Sequence, residues 1–167
     1  MYFDYGIDSK KEGILVKEYA KYEKELYGDY ITDEDYRKIV RLSLRRSMKK
    51  NNTEFIGLYS DDHKLLGMSR IFMDGDIARV GEIIVFDRYN YDIELLHNIY
   101  TSYLAKLESI ALQNNAQSVS LELFPNDEIL TRCLQDCGYS FQPEEKMEDI
   151  ECATVIFTKS LTNKRTL

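Results

Sequence analysis

The stretch from Ile77 to Ala116 constrains this chain more than any other. Ile77-Ala-Arg-Val-Gly-Glu-Ile-Ile-Val-Phe86 reads as one long strand, apolar and β-branched over its second half. A short connection, Asp87-Arg-Tyr-Asn-Tyr91, leads into an amphipathic helix that begins near Asp92. Leu96, Ile99, Tyr100, Tyr103, Leu104, Leu107, Ile110 and Ala111 recur there at helical spacing and predict one apolar stripe. A buried strand feeding a helix that packs back on its own sheet is half of a βαβ unit. A ligand in such a unit meets the turn between the two, where helix amides face outward.

The flanking segments supply the rest of a sheet. Tyr2 to Ile7 alternates weakly as a first short strand. Ser9 is the expected N-cap of a helix over 10–27, with Leu15, Tyr19, Tyr22 and Leu26 on one side and Gly28 as its stop. A second helix is expected from Thr32 to Lys50. Asp33, Glu34 and Asp35 lie in its first turn and basic residues in its last, both matched to the helix dipole. Residues 54–59, 64–73 and the strand from Ile77 then form an antiparallel meander, turned at Asp61-Asp62 and Asp74-Gly75. After the long helix come a strand over 118–124, a short helix from Pro125-Asn126 to Cys137 stopped by Gly138, an extended 139–142 and a last strand over 151–159. The expected fold is α+β: a central mixed, mostly antiparallel sheet of about seven strands flanked by about four helices.

Composition narrows the function classes. A length of 167 residues suits a single domain, 1–167, with 160–167 as a frayed tail. A formal charge of -7 argues against a nucleic-acid partner, which requires a basic footprint. No apolar run approaches the ~20 residues of a membrane helix, and the first residues lack a signal peptide's basic head, so a cytoplasmic protein with no membrane partner is expected. Two histidines, His63 and His97, and three cysteines without zinc-like spacing predict no metal site and reduced thiols.

Three places carry a resemblance. Val80-Gly-Glu-Ile-Ile-Val-Phe86, Ser118 to Phe124 followed by Pro125-Asn126, and Leu134-Gln-Asp-Cys-Gly-Tyr139 come in an order and spacing similar to the GNAT superfamily of acyl-CoA-dependent N-acyltransferases. The resemblance implies acetyl-CoA, or another acyl-CoA, as cosubstrate and a small-molecule or peptide amine as acceptor. Glu82 would be the general base, sharing a strand face with Ile84 and Phe86. The amides of Val85 and Phe86 would polarise the thioester carbonyl, Arg88 would contact a phosphate, Asn90 would also bind the cofactor, and Asn126 would bond its pantetheine arm. The chain departs from the family at the loop whose glycines let amides close on the pyrophosphate. Residues 87–94 contain no glycine and carry Asp87, Asp92 and Glu94. Leu134 stands where many members have a tyrosine that protonates the leaving thiolate.

Other residues carry weaker signals. Arg37, Lys38, Arg41, Arg45, Arg46, Lys49 and Lys50 form a basic stretch that is either a solvated helix face or a surface for an anionic partner. Arg70 is read as exposed or, alternatively, as aimed at an acidic acceptor. His97 is expected as a partly exposed helix residue, and Cys133 and Cys137 as small hydrophobes. Two rival functions follow. One is an interaction module of the same fold that has lost coenzyme A binding. The other is an autoinducer-type or N-acyl-amino-acid synthase, which Gly67-Met-Ser-Arg70 together with Glu82 faintly resembles.

Overall fold

The computed structural model describes residues 1–6, 8–27, 37–38, 41–42, 45–46, 53–81, 83–123, 127–142 and 155–161. Eight strands are present among them: β1 (Tyr2–Tyr5), β2 (Thr53–Tyr59), β3 (Leu65–Asp74), β4 (Ile77–Val80), β5 (Ile84–Val85), β6 (Ser118–Leu123), β7 (Ser140–Gln142) and β8 (Val155–Ser160). The helices are α1 (Ser9–Tyr27), α2 (Ile93–Gln113) and α3 (Glu128–Asp136). Residues 37–38, 41–42 and 45–46 are also helical, inside the span expected for the second helix. The fold is α+β as expected, with three helices of defined extent. The expected first turn of that second helix, Asn126, Glu82 and Thr162–Leu167 lie outside the described residues.

The chain forms two compact units, Met1–Arg70 with Ile83–Asn90, and Ile71–Glu82 with Tyr91–Leu167. In the first unit the strand order is β1-β2-β3, and β5 also pairs with β3. Helix α1 starts one residue before its expected first turn. Asp8 rather than Ser9 caps it, accepting from the Lys11 amide at 2.8 Å. Either residue type can cap, and the chain's entry decides. From α1, Leu15 and Val16 pack with Phe55, Met68, Ile84 and Phe86 into one buried cluster. Each such aliphatic side chain removed from water is worth about 2 kcal/mol.

In the second unit the order is β3-β4-β6-β8-β7. All pairs are antiparallel except β4 with β6, which run parallel from Ile77↔Ser118 to Val80↔Leu121. That parallel pair, joined through α2, is the βαβ unit anticipated from the sequence. Helix α2 buries Leu96, Ile99, Tyr100, Tyr103, Leu104, Leu107, Ile110 and Ala111, the same eight residues as the sequence stripe. Helix α3 is capped by Asp127, which is fully buried and accepts from the Leu130 amide at 3.1 Å. Gly138, at φ +84, follows its last turn as expected. Strand β8 runs to Ser160, and Leu161 donates to the Gln117 carbonyl at 2.7 Å. Those two residues are therefore held in place and are not part of a frayed tail.

The long strand expected over 77–86 is broken. Ile71 pairs with Val80, and Met68 pairs with Ile84. Between those pairs β3 has Ser69 and Arg70, while the other strand has one residue more. The register of pairing with β3 therefore differs by one residue between the two ladders. Strict alternation does not describe residues 83–86; the expected placement of Glu82 lies outside the described residues. Ile83, Ile84, Val85 and Phe86 are all buried.

Candidate active site

Strand β5 and the connection after it form the centre of the candidate site. Gly67 sets their depth: a Cβ placed on it would lie 2.5 Å from the Ile84 carbonyl oxygen and 3.3 Å from Val85 Cα. Only glycine lets the two backbones approach this closely. The Phe86 amide donates to the Leu66 carbonyl at 2.8 Å. Successive amides of an antiparallel strand point to opposite sides, so the Val85 N–H is directed away from β3. The two amides expected to serve one carbonyl are thus separated by the pleat, and Phe86 is committed to the sheet. In the second unit the β4–β6 ladder ends at Val80↔Leu121, while β6 continues against β8 through Glu122 and Leu123.

The chain then turns sharply. Asp87 has φ +52, a left-handed conformation that aspartate tolerates better than most residues. Arg88–Asn90 form a single 3-10 turn, closed by the Asn90 amide on the Asp87 carbonyl at 2.9 Å. Arg88 is half-buried with its guanidinium 5.7 Å from the Tyr89 ring centroid, and Asn90 is exposed. Asp92 caps α2, accepting from the Leu95 amide at 2.7 Å.

Charges around Asp87 are paired locally. Its amide donates to Glu18 Oε2 at 3.5 Å. Its carboxylate lies 3.5 Å from Lys21 Nζ through Oδ1 and 3.9 Å from Lys64 Nζ through Oδ2. Lys21 comes from α1 and Lys64 from the turn before β3, and sequence reading singled out neither. Only a motif linking positions 21, 64 and 87 would have revealed them.

Arg70 is half-buried rather than exposed. Glu12 on α1 takes Arg45 Nε at 3.2 Å and Arg41 Nε at 3.8 Å, so two residues of the basic stretch meet an internal carboxylate. His97 is a partly exposed helix residue 3.3 Å from Asp136 Oδ2. Cys133 is free and buried, and its thiol is pushed up to about 12 by burial and then by the negative charges nearby. Leu134 is fully buried and has no proton to give. Among the described residues no group of His, Cys, Asp and Glu could hold a metal ion, and no helix is long and apolar enough to cross a membrane.

No protein-family profile and no curated protein sequence matches the chain. Solved structures do match its fold. The PaiA N-acetyltransferase of Thermoplasma acidophilum, solved in complex with coenzyme A, is 14% identical, with a TM-score of 0.68 over 96% of this chain and 100% of that one. An acetyltransferase of the GNAT family from Staphylococcus aureus Mu50 is 10% identical, with a TM-score of 0.70 over 96% and 100%. An aminoglycoside 6'-acetyltransferase type Ii is 12% identical, with a TM-score of 0.62 over 96% and 97%. The chain has the GNAT N-acyltransferase fold.

Proposed function

We propose that this protein is an acyl-CoA-dependent N-acyltransferase that moves an acetyl group from coenzyme A to a primary amine on a small molecule or peptide, with the whole chain acting as one catalytic domain. The supporting observation is the backbone at β5. Gly67 lets the strand sit deep, Phe86 fastens it to β3, and the Val85 amide, turned away from that pairing, would receive the carbonyl oxygen in this reading. A fixed donor aimed at developing negative charge is worth a few kcal/mol in acyl transfer. Similarity of fold to acetyltransferases supports the same class.

In this mechanism the acceptor nitrogen adds to the thioester carbonyl carbon, and its proton passes to Glu82. The carbon–sulfur bond then breaks, giving an amide and a thiolate that takes a proton from water, since Leu134 cannot supply one. Arg88 and Asn90, on the turn before α2, are assigned to the phosphates, and Asn126 to the pantetheine arm. Calorimetric titration with acetyl-CoA tests the reading. A dissociation constant of about 10 μM would raise stability by about 2.7 kcal/mol at 1 mM ligand. With an amine acceptor in hand, Glu82→Gln is expected to lower transfer by about 10²-fold at neutral pH, and an unchanged rate removes Glu82 from the mechanism. The carboxylates on the loop's donors favour a second reading, a coenzyme-free interaction module. Absence of binding by any acyl-CoA would select it.

A further inference from the structure

Around the connection between β5 and α2, carboxylates of the chain meet donors that an anion could use: Glu18 takes the Asp87 amide, Asp92 the Leu95 amide, and Asp87 the ammoniums of Lys21 and Lys64. Lys21 and Lys64 approach from α1 and from the turn before β3. Asp87 lies between them, presenting Oδ1 to one ammonium at 3.5 Å and Oδ2 to the other at 3.9 Å. One anion bridging two ammoniums through two oxygens is the arrangement a phosphate adopts in such a pair, with greater charge, about -1.5 to -2 for a monoester. The contacts are loose. Both exceed the 2.7–2.9 Å typical of a charge-assisted hydrogen bond. The side chains are between 43% and 59% exposed, so water competes for each of them. The Asp87 backbone, by contrast, is held by its own turn, through the Asn90 amide on its carbonyl. The carboxylate can leave by a change of rotamer with no rearrangement of the loop.

We infer that Asp87 is a resident stand-in for a phosphate, and that a pyrophosphate-bearing ligand binds by displacing its carboxylate from Lys21 and Lys64. The ligand class rests on the acyl-CoA reading above; the displacement itself does not require it. Asp87 then sets affinity: it holds the two lysines in place when the site is empty and opposes the ligand when it arrives. Neutralising it removes a weak hold on the two lysines and, chiefly, its repulsion of the incoming anion, together worth about tenfold in affinity.

The test is titration calorimetry on the full chain with inorganic pyrophosphate and, separately, with coenzyme A. Asp87→Asn is the informative variant, because asparagine accepts the left-handed backbone and removes only the charge. Pyrophosphate is expected to bind it about tenfold tighter than wild type, and the gain should vanish when Lys21→Met and Lys64→Met are added. Equal or weaker pyrophosphate binding by Asp87→Asn overturns the inference, as does a gain that survives loss of both lysines. Coenzyme A separates the two readings. If pyrophosphate responds as expected but no acyl-CoA binds either protein, the transferase reading falls alone. If wild type binds coenzyme A and Asp87→Asn changes neither ligand's affinity, the stand-in falls alone.

Discussion

Two ion clusters in this protein use the same kinds of group to opposite ends. At Glu108, Lys159 Nζ reaches both carboxylate oxygens at 2.9 Å, with side chains 20% and 28% exposed. The same ammonium lies 5.5 Å from the Tyr139 ring centroid, within cation–π range. At Asp87 two lysines share one carboxylate at longer range and in water. The first cluster ties β8 to α2 and leaves no donor room for anything else. The second fastens side chains only, at a turn whose shape the backbone already determines. The contrast teaches that burial and bidentate geometry, rather than the count of charges, separate a structural pair from an exchangeable one.

Breaking the tight cluster gives the largest effect. Lys159→Met leaves the Glu108 carboxylate mostly out of water without a counter-charge. The expected loss is about 2 kcal/mol of unfolding free energy, below the range for fully buried pairs because both groups retain some solvent. Urea denaturation checks it, and a midpoint within error of wild type would place this pair in the same class as the loose one.

Next is Gly67→Ala, which asks whether the loose cluster sits on a rigid base. The new methyl meets the Ile84 carbonyl, a backbone atom with no flexible end to give way. A cost of about 2 kcal/mol is expected and, on the proposed function, acetyl transfer reduced further as Val85 shifts. A variant as stable and active as wild type would mean that β5 is not constrained by its depth.

Alkali acts on the same unit as the tight cluster. Burial and then the Glu108 charge raise Tyr139 above its ordinary value of 10.0, and burial raises Cys133 from 9.0 to about 12. The folded protein therefore keeps protons that the unfolded chain releases above about 9. Stability contributed by the buried thiol is fully present below 9.0 and is lost as pH rises toward about 12. Unfolding midpoints should fall across that window, less steeply in Cys133→Ala. An unchanged midpoint through the window would mean that the thiol titrates normally.

The sequence was most informative where burial is local and periodic. All eight stripe residues of α2 follow from spacing alone, because a helix repeats its buried face over adjacent turns and needs no knowledge of what covers it. The turn at Gly75 and the stop at Gly138 were legible because left-handed backbone favours glycine, whereas at the Asp61-Asp62 turn the left-handed residue is His63. The break between Val80 and Ile84 was not. A one-residue slip in register is decided by β3, and the apolar run reads the same with or without it. Choosing Ser9 over Asp8 failed because neighbouring residues had equal capping chemistry. The site divided along similar lines. The turn before α2 and the cap at Asp92 were visible in sequence, whereas Gly67's contact with Ile84 and the lysines around Asp87 join positions far apart in the chain.

The smallest effect is the sharpest test of the comparison. Asp87→Asn removes a charge from a cluster that includes Lys21, Lys64 and Glu18, yet its expected effect on unfolding free energy is within about 0.5 kcal/mol. Each ion pair is exposed, so the Coulomb attraction lost is largely screened. The ammoniums regain hydration, and asparagine keeps the left-handed turn. Added salt should lower the midpoint of wild type no more than that of the variant, because the pairs it screens contribute little to begin with. A loss as large as that of Lys159→Met would show that the Asp87 carboxylate is holding the fold. A group that holds the fold cannot also be the one a ligand displaces.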